Sequence, residues 1–460
     1  MNKAQVIQAI YDVLDGHMMI PQIDAFHEDA RLNQDLYLDS VLVLELILNL
    51  ETELGMDIPD DALTKDDFET VSNLADFLMV RSGNAASESS KNTNLVTEQA
   101  MDQEQEEFED VKVHCFVSCI CDIIKPHPLV DHRPFYFGVW DAEIVINQQH
   151  QLDYHSETLN HDNFRHWYKA LYSVDVSPWY DKTLSKSENL NKLTSLVENK
   201  PDHQRVMVMI DMYRLPEREN KFNQNPFPHY VMLETTDNPD QWMMLDPDFR
   251  WEGIIAKDKI LNAVASPAVE GGYIFDSQQI QASQPQAIKA YYLDSFNADH
   301  NPMTDAVRNV VNHHVENALW QALPDALKQL PVLAIRKYAY EHGIAFFLLE
   351  KGVDLDVYNP SDLDSDLDQN ALEVARFEEQ CVVIEQLVES YKLVQYRAMK
   401  LAKPETSDDD RAILVQEITE ILDQQDAREF SIKQHLNALF VEWCSNKKIE
   451  SSSIEELVEP

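Results

Sequence analysis

The segment EDVKVHCFVSCICDIIKPHP places Cys115 where a short strand gives way to a helix. A thiol at a helix N-terminus has its thiolate favoured by the helix dipole and the free N–H groups there. Cys119 and Cys121 follow four and six residues on, on other faces of the helix, and are expected to pack inside. A lone cysteine is more commonly structural, so a nucleophile needs a base. The stretch PFPHYVMLETTDNPDQWMMLDPDF offers one, since HYVMLET and QWMMLDP read as strands around the turn Asp237-Asn238-Pro239. Folding about the midpoint between Asp237 and Asn238 puts His229 opposite Asp246. Opposed residues share a sheet face with Cβ atoms about 4.5–5.5 Å apart, close enough for a carboxylate to orient an imidazole. A slip of one residue would put the two on opposite faces. Cys115, His229 and Asp246 are therefore the candidate nucleophile, base and orienting acid. A zinc site built from His114, Cys115, Cys119, Cys121 and His127 lacks the usual C-x-x-C knuckle, and two residues of one short helix do not converge with the rest. No metal is expected.

A second candidate is the serine of DLYLDSVLVLEL. Asp39 and Ser40 are both good N-caps, so a helix starting at Val41 has a physical start signal. A serine there is a poor nucleophile without a base. It is well placed to carry a phosphodiester, because the dipole and free amides favour a negative phosphate. For an isolated Asp-Ser pair a structural cap is the commoner explanation.

The elements that must position these residues fall into distinct textures. Helical pieces are expected at about 2–15, 40–54, 60–65 and 70–80, giving a compact unit over 1–81. Residues 82–107 are Ser-, Asn- and Glu-rich with few large apolar side chains, a flexible linker. From 108 to 300, short β-type runs (VKVHCF, RVMVMIDMY, HYVMLETT, QWMMLDPDF, AIKAYYLDSF) alternate with helical stretches, an α+β pattern. From 301 to 460 the chain reads as mostly helical, divided by the acidic break DLDVYNPSDLDSDLDQ. Nothing in that last region has a recognisable active-site spacing. His313, His314, Glu378 and Glu379 read as surface or packing residues.

Composition bounds the partners. A formal charge of −44 repels phosphates, which argues against nucleic acid or an anionic membrane surface. No apolar run approaches a membrane span and the N-terminus lacks a signal-peptide pattern, so a cytoplasmic location is expected. Five cysteines without framework spacing read as reduced thiols.

Two family resemblances sharpen the reading. DLYLDSVLVLELILNLETELGMDIPDDAL followed by DFETVSNLADFL resembles the acyl carrier protein family over residues 1–80. The resemblance implies a four-helix bundle, with 4′-phosphopantetheine attached at Ser40, preceded by the matching Asp39, by a phosphopantetheinyl transferase. Tyr37 stands where the family usually has glycine, and Leu42 where an acidic residue is common. The helix keeps Glu45, Glu51 and Glu53 but is unusually apolar, so an apolar docking face toward the chain's own second domain is expected. HCFVSC, MIDMYRLPERE, FPHYVML and LDPDF are similar to the cysteine acyltransferase of butirosin biosynthesis and its relatives, over roughly 110–255. That resemblance, and the order cysteine, histidine, aspartate, imply a papain-like domain with Cys115 as nucleophile, His229 as general base and Asp246 as its orienter. The papain-type glutamine before the cysteine is absent; Glu109 stands there, which leaves the oxyanion donors beyond the Cys115 amide unassigned.

The expectation is thus a multidomain chain: an all-α carrier bundle, a papain-like α+β domain and a helical C-terminal region. Its function would be to move an acyl group from its own carrier through a Cys115 thioester to a small-molecule amine, in specialised metabolism such as siderophore or polyamine-conjugate assembly. An acyl-activating enzyme would load the arm, and a homodimer would allow delivery between subunits as well as within one. The linker spans roughly 25–30 Å root mean square, which keeps the arm concentrated near the cysteine. A thioesterase or peptidase-like hydrolase and a non-catalytic carrier scaffold are the alternatives.

Overall fold

The protein is seen here as a computed structural model that describes residues 2–20, 22–33, 35–38, 40–54, 69–82, 114–154, 161–215, 218, 225–355 and 369–448. Asp39, the 60–65 turn, nearly all of the linker, Glu109, the strand expected before Cys115 and most of the acidic break lie outside the described residues.

The N-terminal unit contains α1 (Lys3–Asp12), α2 (Ser40–Leu54) and α3 (Val71–Ser82). Asn2 starts α1 through a capping box, its side chain accepting from the Gln5 amide while Gln5 returns a bond to the Asn2 amide. Apolar residues at three- and four-residue spacing (Val6 and Ile10; Ile47 and Leu50; Leu74 and Leu78) close a common core.

The next unit begins with α4 (Cys115–Ile124), then a two-stranded ribbon of β1 (Val145–Ile146) and β2 (Leu152–Asp153). After α5 (Asp162–Tyr172) come β3 (Ser177–Pro178), α6 (Lys186–Asn199), β4 (Gln204–Asp211), β5 (Pro228–Thr235), β6 (Gln241–Asp246), β7 (Trp251–Ala256), α7 (Lys257–Val264) and β8 (Gly272–Asp276). Six strands form one antiparallel sheet in the order β3-β8-β4-β5-β6-β7. Strand β5 alternates between two cores: Tyr230 and Met232 join the layer that holds α4, whereas Val231 and Leu233 join the layer of Leu193 and Val197 from α6. Covered on both faces, it reads as an apolar run rather than an alternating one.

The C-terminal part packs α8 (Pro285–Ser295), α9 (Pro302–Glu316), α10 (Ala339–Lys351), α11 (Gln369–Ala402) and α12 (Asp408–Asn446). The run AIKAYYLDSF, expected as a strand, is helical in α8: Pro285 starts the helix, and Ile288, Tyr291 and Tyr292 are buried at the three- and four-residue spacing of one helix face. Gly352, at φ +90°, ends α10 in the left-handed conformation that glycine adopts without a Cβ penalty. Ser407 caps α12, accepting from the Asp410 amide, and three aspartates in the first turn favour the dipole. One apolar core runs from Phe116 and Tyr136 through Tyr291, Tyr340 and Phe347 to Trp443, so the sheet domain and these helices are built on each other. The chain is therefore multidomain: a helical carrier, a mixed α/β middle and a helical C-terminal region. Among the described residues no helix is long and apolar enough to cross a membrane.

The carrier contact corrects one expectation. Among the described residues helix α2 packs on α11 of the C-terminal region rather than on the sheet domain, and a polar anchor accompanies the apolar contact. Tyr396 of α11 is buried in the carrier's own core and donates to Glu51 Oε2 at 2.5 Å. Leu42 is half-buried and packs onto the same core.

Candidate active site

Cys115 is the first residue of α4, preceded by His114 in extended conformation, and its side chain is buried at the wall of a cleft of about 940 Å³. Its Sγ lies 3.9 Å from the Tyr154 hydroxyl. The other two thiols of the helix point into the protein: Cys119 Sγ donates to the Tyr230 carbonyl at 3.5 Å, and burial raises its pKa well above the usual thiol value. Burial likewise pushes Cys121 up to about 12. Both are inert, packed thiols, as their spacing implied.

His229 and Asp246 meet, by a route that differs from the expected one. The hairpin pairs Met232 with Leu245 and Thr235 with Trp242, a register displaced by two residues from His229 opposite Asp246. A wider turn, built by Thr236 Oγ1 donating to the Asn238 and Gln241 carbonyls, accounts for the displacement. An even displacement keeps both side chains on one face, so the contact survives as a diagonal one. His229 Nε2 and Asp246 Oδ1 are 2.8 Å apart and both residues are buried. Burial lowers the His229 pKa, but the charge and hydrogen bond of Asp246, aided by Cys115, outweigh it and hold the imidazole well above its ordinary value. Asp246 has the reverse balance: burial pushes it up, and His229 and Arg218 hold it below the usual carboxylate range.

The arrangement around the acid was not foreseen from the sequence. Arg218 Nη2 donates to Asp246 Oδ2 at 2.8 Å, and its guanidinium lies 4.1 Å from the centre of the Trp251 ring. Asp246 Oδ1 also accepts from the Phe249 amide at 3.4 Å, capping the turn Pro247–Phe249. The next acid, Asp248, accepts from Ser118 Oγ of α4 at 2.7 Å, which ties the aspartate turn to the cysteine helix. Arg218 belongs to MYRLPERE, a run rich in charge beside a strand, and that charge was the only local signal.

A buried cation completes the cleft. Arg336 is 4% exposed, its Nη1 donates to the Glu143 carbonyl at 3.2 Å, and its guanidinium sits 5.0 Å over the Tyr154 ring. Its Nε meets no hydrogen-bond partner among the described residues. Burial lowers the Arg336 pKa, while Tyr154 and Cys115 act to raise it. Arg336, Lys337, Glu341 and His342 interrupt the otherwise apolar run LPVLAIRKYAYEHGIAFFLL, a signal that sequence reasoning could have used. Among the described residues no group of three or more His, Cys, Asp or Glu could hold a metal ion. His314 Nδ1 donates to the Val310 carbonyl at 2.9 Å, and His313 stacks on His150, both in packing roles.

For the carrier, Ser40 is the first residue of the fifteen-residue α2, the end where free amides favour a phosphate. That placement fits a phosphodiester-linked group.

Comparison with known proteins agrees with this division. Residues 10–78 match the phosphopantetheine attachment site family, 110–280 the DUF6005 N-terminal domain, and 286–361 with 367–456 the DUF6005 C-terminal domain. The petrobactin synthase of Bacillus anthracis is 40% identical over 346 residues, 74% of this chain and 98% of that protein. The acyl carrier protein AsbD of the same organism is 33% identical over 78 residues, 17% of this chain and 86% of the carrier. An acyl carrier protein of Chlorobium phaeobacteroides is 30% identical over 79 residues, 17% of this chain and 97% of that carrier. No solved structure matches. The chain belongs to the family of the Bacillus anthracis petrobactin synthase, and it adds to that enzyme an N-terminal carrier domain with covalently bound 4′-phosphopantetheine.

Proposed function

We propose that the protein is a cysteine-dependent, amide-forming acyltransferase of siderophore biosynthesis, with a papain-like middle domain that draws its acyl group from the chain's own carrier. The observation that carries this reading is the buried His229–Asp246 bond, 2.8 Å long, with the imidazole electrostatically linked to Cys115. A helix-borne cysteine followed by histidine and aspartate on adjacent antiparallel strands supports the papain-like assignment. The 40% identical petrobactin synthase supports the siderophore context.

Ser40 would hold the 4′-phosphopantetheine, whose thiol presents the acyl group as a thioester. Cys115 Sγ attacks the acyl carbonyl and takes the acyl group as its own thioester, while protonated His229 gives its proton to the departing sulfur. The amine then attacks acyl-Cys115, His229 takes a proton from the nitrogen, and Cys115 leaves as thiolate. One thioester and one amine become one amide and one thiol. Asp246 keeps its proton-free form throughout and fixes the ring, as Arg218 fixes Asp246.

Arg336 takes the place left by the missing glutamine. A desolvated guanidinium with an unused Nε, lining the same cleft as Cys115, is suited to the charge that develops on the acyl oxygen. Arg336→Met is expected to lower kcat about 10²–10³-fold. Arg336→Lys should fall between the two. Equal loss in KM and none in kcat would assign Arg336 to substrate binding instead.

Arg218→Met should lower kcat about tenfold by loosening Asp246. It removes a charge that depresses the Asp246 pKa, so the acid limb of the pH–rate profile should move to higher pH. An unmoved limb would remove Asp246 from the mechanism.

Intact-protein mass spectrometry of the pantetheinylated, acyl-loaded chain with candidate amines tests the whole reading. Amide formation that requires both Ser40 and Cys115 supports it. Release as free acid with the same requirements would make the protein a hydrolase, and no dependence on Cys115 would leave only the carrier.

A further inference from the structure

Glu51 is a buried carboxylate held between two domains. Tyr396 donates to Oε2 at 2.5 Å, Lys400 Nζ lies 3.1 Å from the same oxygen and 3.3 Å from Oε1, and Lys403 Nζ donates to the Leu48 carbonyl at 3.4 Å. The Tyr396 ring is fully buried in the carrier core, with Lys400 Nζ 4.7 Å above it. Two lysines one turn apart on α11 thus face an acidic carrier, in a chain whose formal charge is −44.

The spacing along α2 gives this contact a direction. Ser40 and Glu51 are eleven residues apart, about three full turns of an α-helix, so they occupy the same face about 16 Å apart along the axis. Gripping α2 by Glu51 therefore turns the Ser40 face of the helix toward the body of the protein. Beside the apolar contact of Tyr396, Leu393 and Met399, the charged groups Glu51, Lys400 and Lys403 return to water on release, as suits a carrier that must also visit a loading enzyme. The two halves also occur as separate proteins in Bacillus anthracis, a synthase and a carrier.

We infer that the α11 stripe Tyr396, Lys400 and Lys403 is a recognition site for the phosphopantetheine carrier, which it grips by Glu51 so that the Ser40 face of α2 is presented to the enzyme. The inference deepens the proposed function by naming how the donor is presented, and it rests on that function only where transfer is measured.

Hydrogen exchange on the full-length protein reads the grip without any chemistry. Glu51→Lys should speed exchange in residues 44–54 and 393–403 about tenfold, Lys400→Glu should do the same, and the double swap should restore protection by returning opposite charges to the contact. Transfer from the Ser40 arm should fall about tenfold in either single variant and recover in the swap, whereas transfer from a soluble acyl-pantetheine thioester should be the same in all. Unchanged protection in Glu51→Lys would overturn the recognition site. Lost protection with unchanged or faster transfer from the arm would make the contact a resting place rather than a delivery pose. If the unmodified chain transferred from neither donor, the acyltransferase reading would fail and the exchange data alone would decide the site.

Discussion

Full-length protein carrying Cys115→Ala is expected to accept the acyl group on its carrier and to pass it to an amine at least about 10⁴-fold more slowly than the unmodified chain. The size follows from covalent catalysis: without Sγ the acyl group has no intermediate acceptor, and the amine must attack the arm's thioester directly. Neighbouring thiols offer no rescue. Cys119 is fully buried, engaged with the Tyr230 carbonyl and held protonated by burial. His229→Ala should cost about as much as Cys115→Ala, and the double variant little more than either, because the two act as one unit. Stopped-flow transfer on the loaded chain gives the rates. Additive losses, or a Cys115→Ala rate within tenfold of the unmodified one, would remove the cysteine from the mechanism. The side chain lost is small, so the fold should be nearly as stable as before, which circular dichroism and loading at Ser40 would check.

The parts of this site that were legible in the sequence are those with a local signature. Cys115 at a strand-to-helix junction and His229 and Asp246 on one hairpin could be placed because period-two alternation and turn residues act over a few positions. The register was misread by two because the side-chain bonds of Thr236 widen the turn, and only the even size of the error kept the pair together. Arg218, Tyr154 and Arg336 reach the site from three separate segments, and no spacing within one element encodes that meeting. The carrier illustrates the same limit. Its apolar α2 was legible, but Glu51 was one of three carboxylates on that helix, and nothing local marked it as the one that Tyr396, 345 positions away, closes over. The long C-terminal helices were visible from their apolar spacing, and α12 continues to Asn446 because its later turns bury Ile432, Leu436, Phe440 and Trp443 at the same spacing.

Lys337→Met should destabilise the catalytic body by about 3–5 kcal/mol, the loss typical when one partner of a buried ionic cluster is removed. Lys337 is fully buried and uses all three ammonium protons: to the Trp140 carbonyl at 2.7 Å, Asp141 Oδ1 at 2.9 Å and Glu429 Oε1 at 2.6 Å. Lys433 binds the other Asp141 oxygen at 2.9 Å and the His300 carbonyl at 2.9 Å, and the Tyr340 hydroxyl donates to Glu429 at 2.8 Å. Two carboxylates and two ammonium groups balance in charge, so removing Lys337 strands a net negative charge in an apolar core. The cluster joins the segment of Trp140 and Asp141 to α12, and Lys337 is the neighbour of Arg336, so its loss should also lower kcat by releasing the cation over Tyr154. The pH dependence has a definite sign. Burial raises the Asp141 pKa, but Lys337 and Lys433 outweigh it and hold it below the ordinary 3.8. Its contribution to stability is therefore present above pH 3.8 and is lost as the pH falls through the depressed value. Lys337→Met should weaken that acid-side loss, since one of the two depressing charges is gone. Denaturant unfolding of the single variant, of Glu429→Met and of the double variant would give the coupling. A double loss well below the sum of the singles is the expected result, and strict additivity would show that Lys337 and Glu429 do not act on each other.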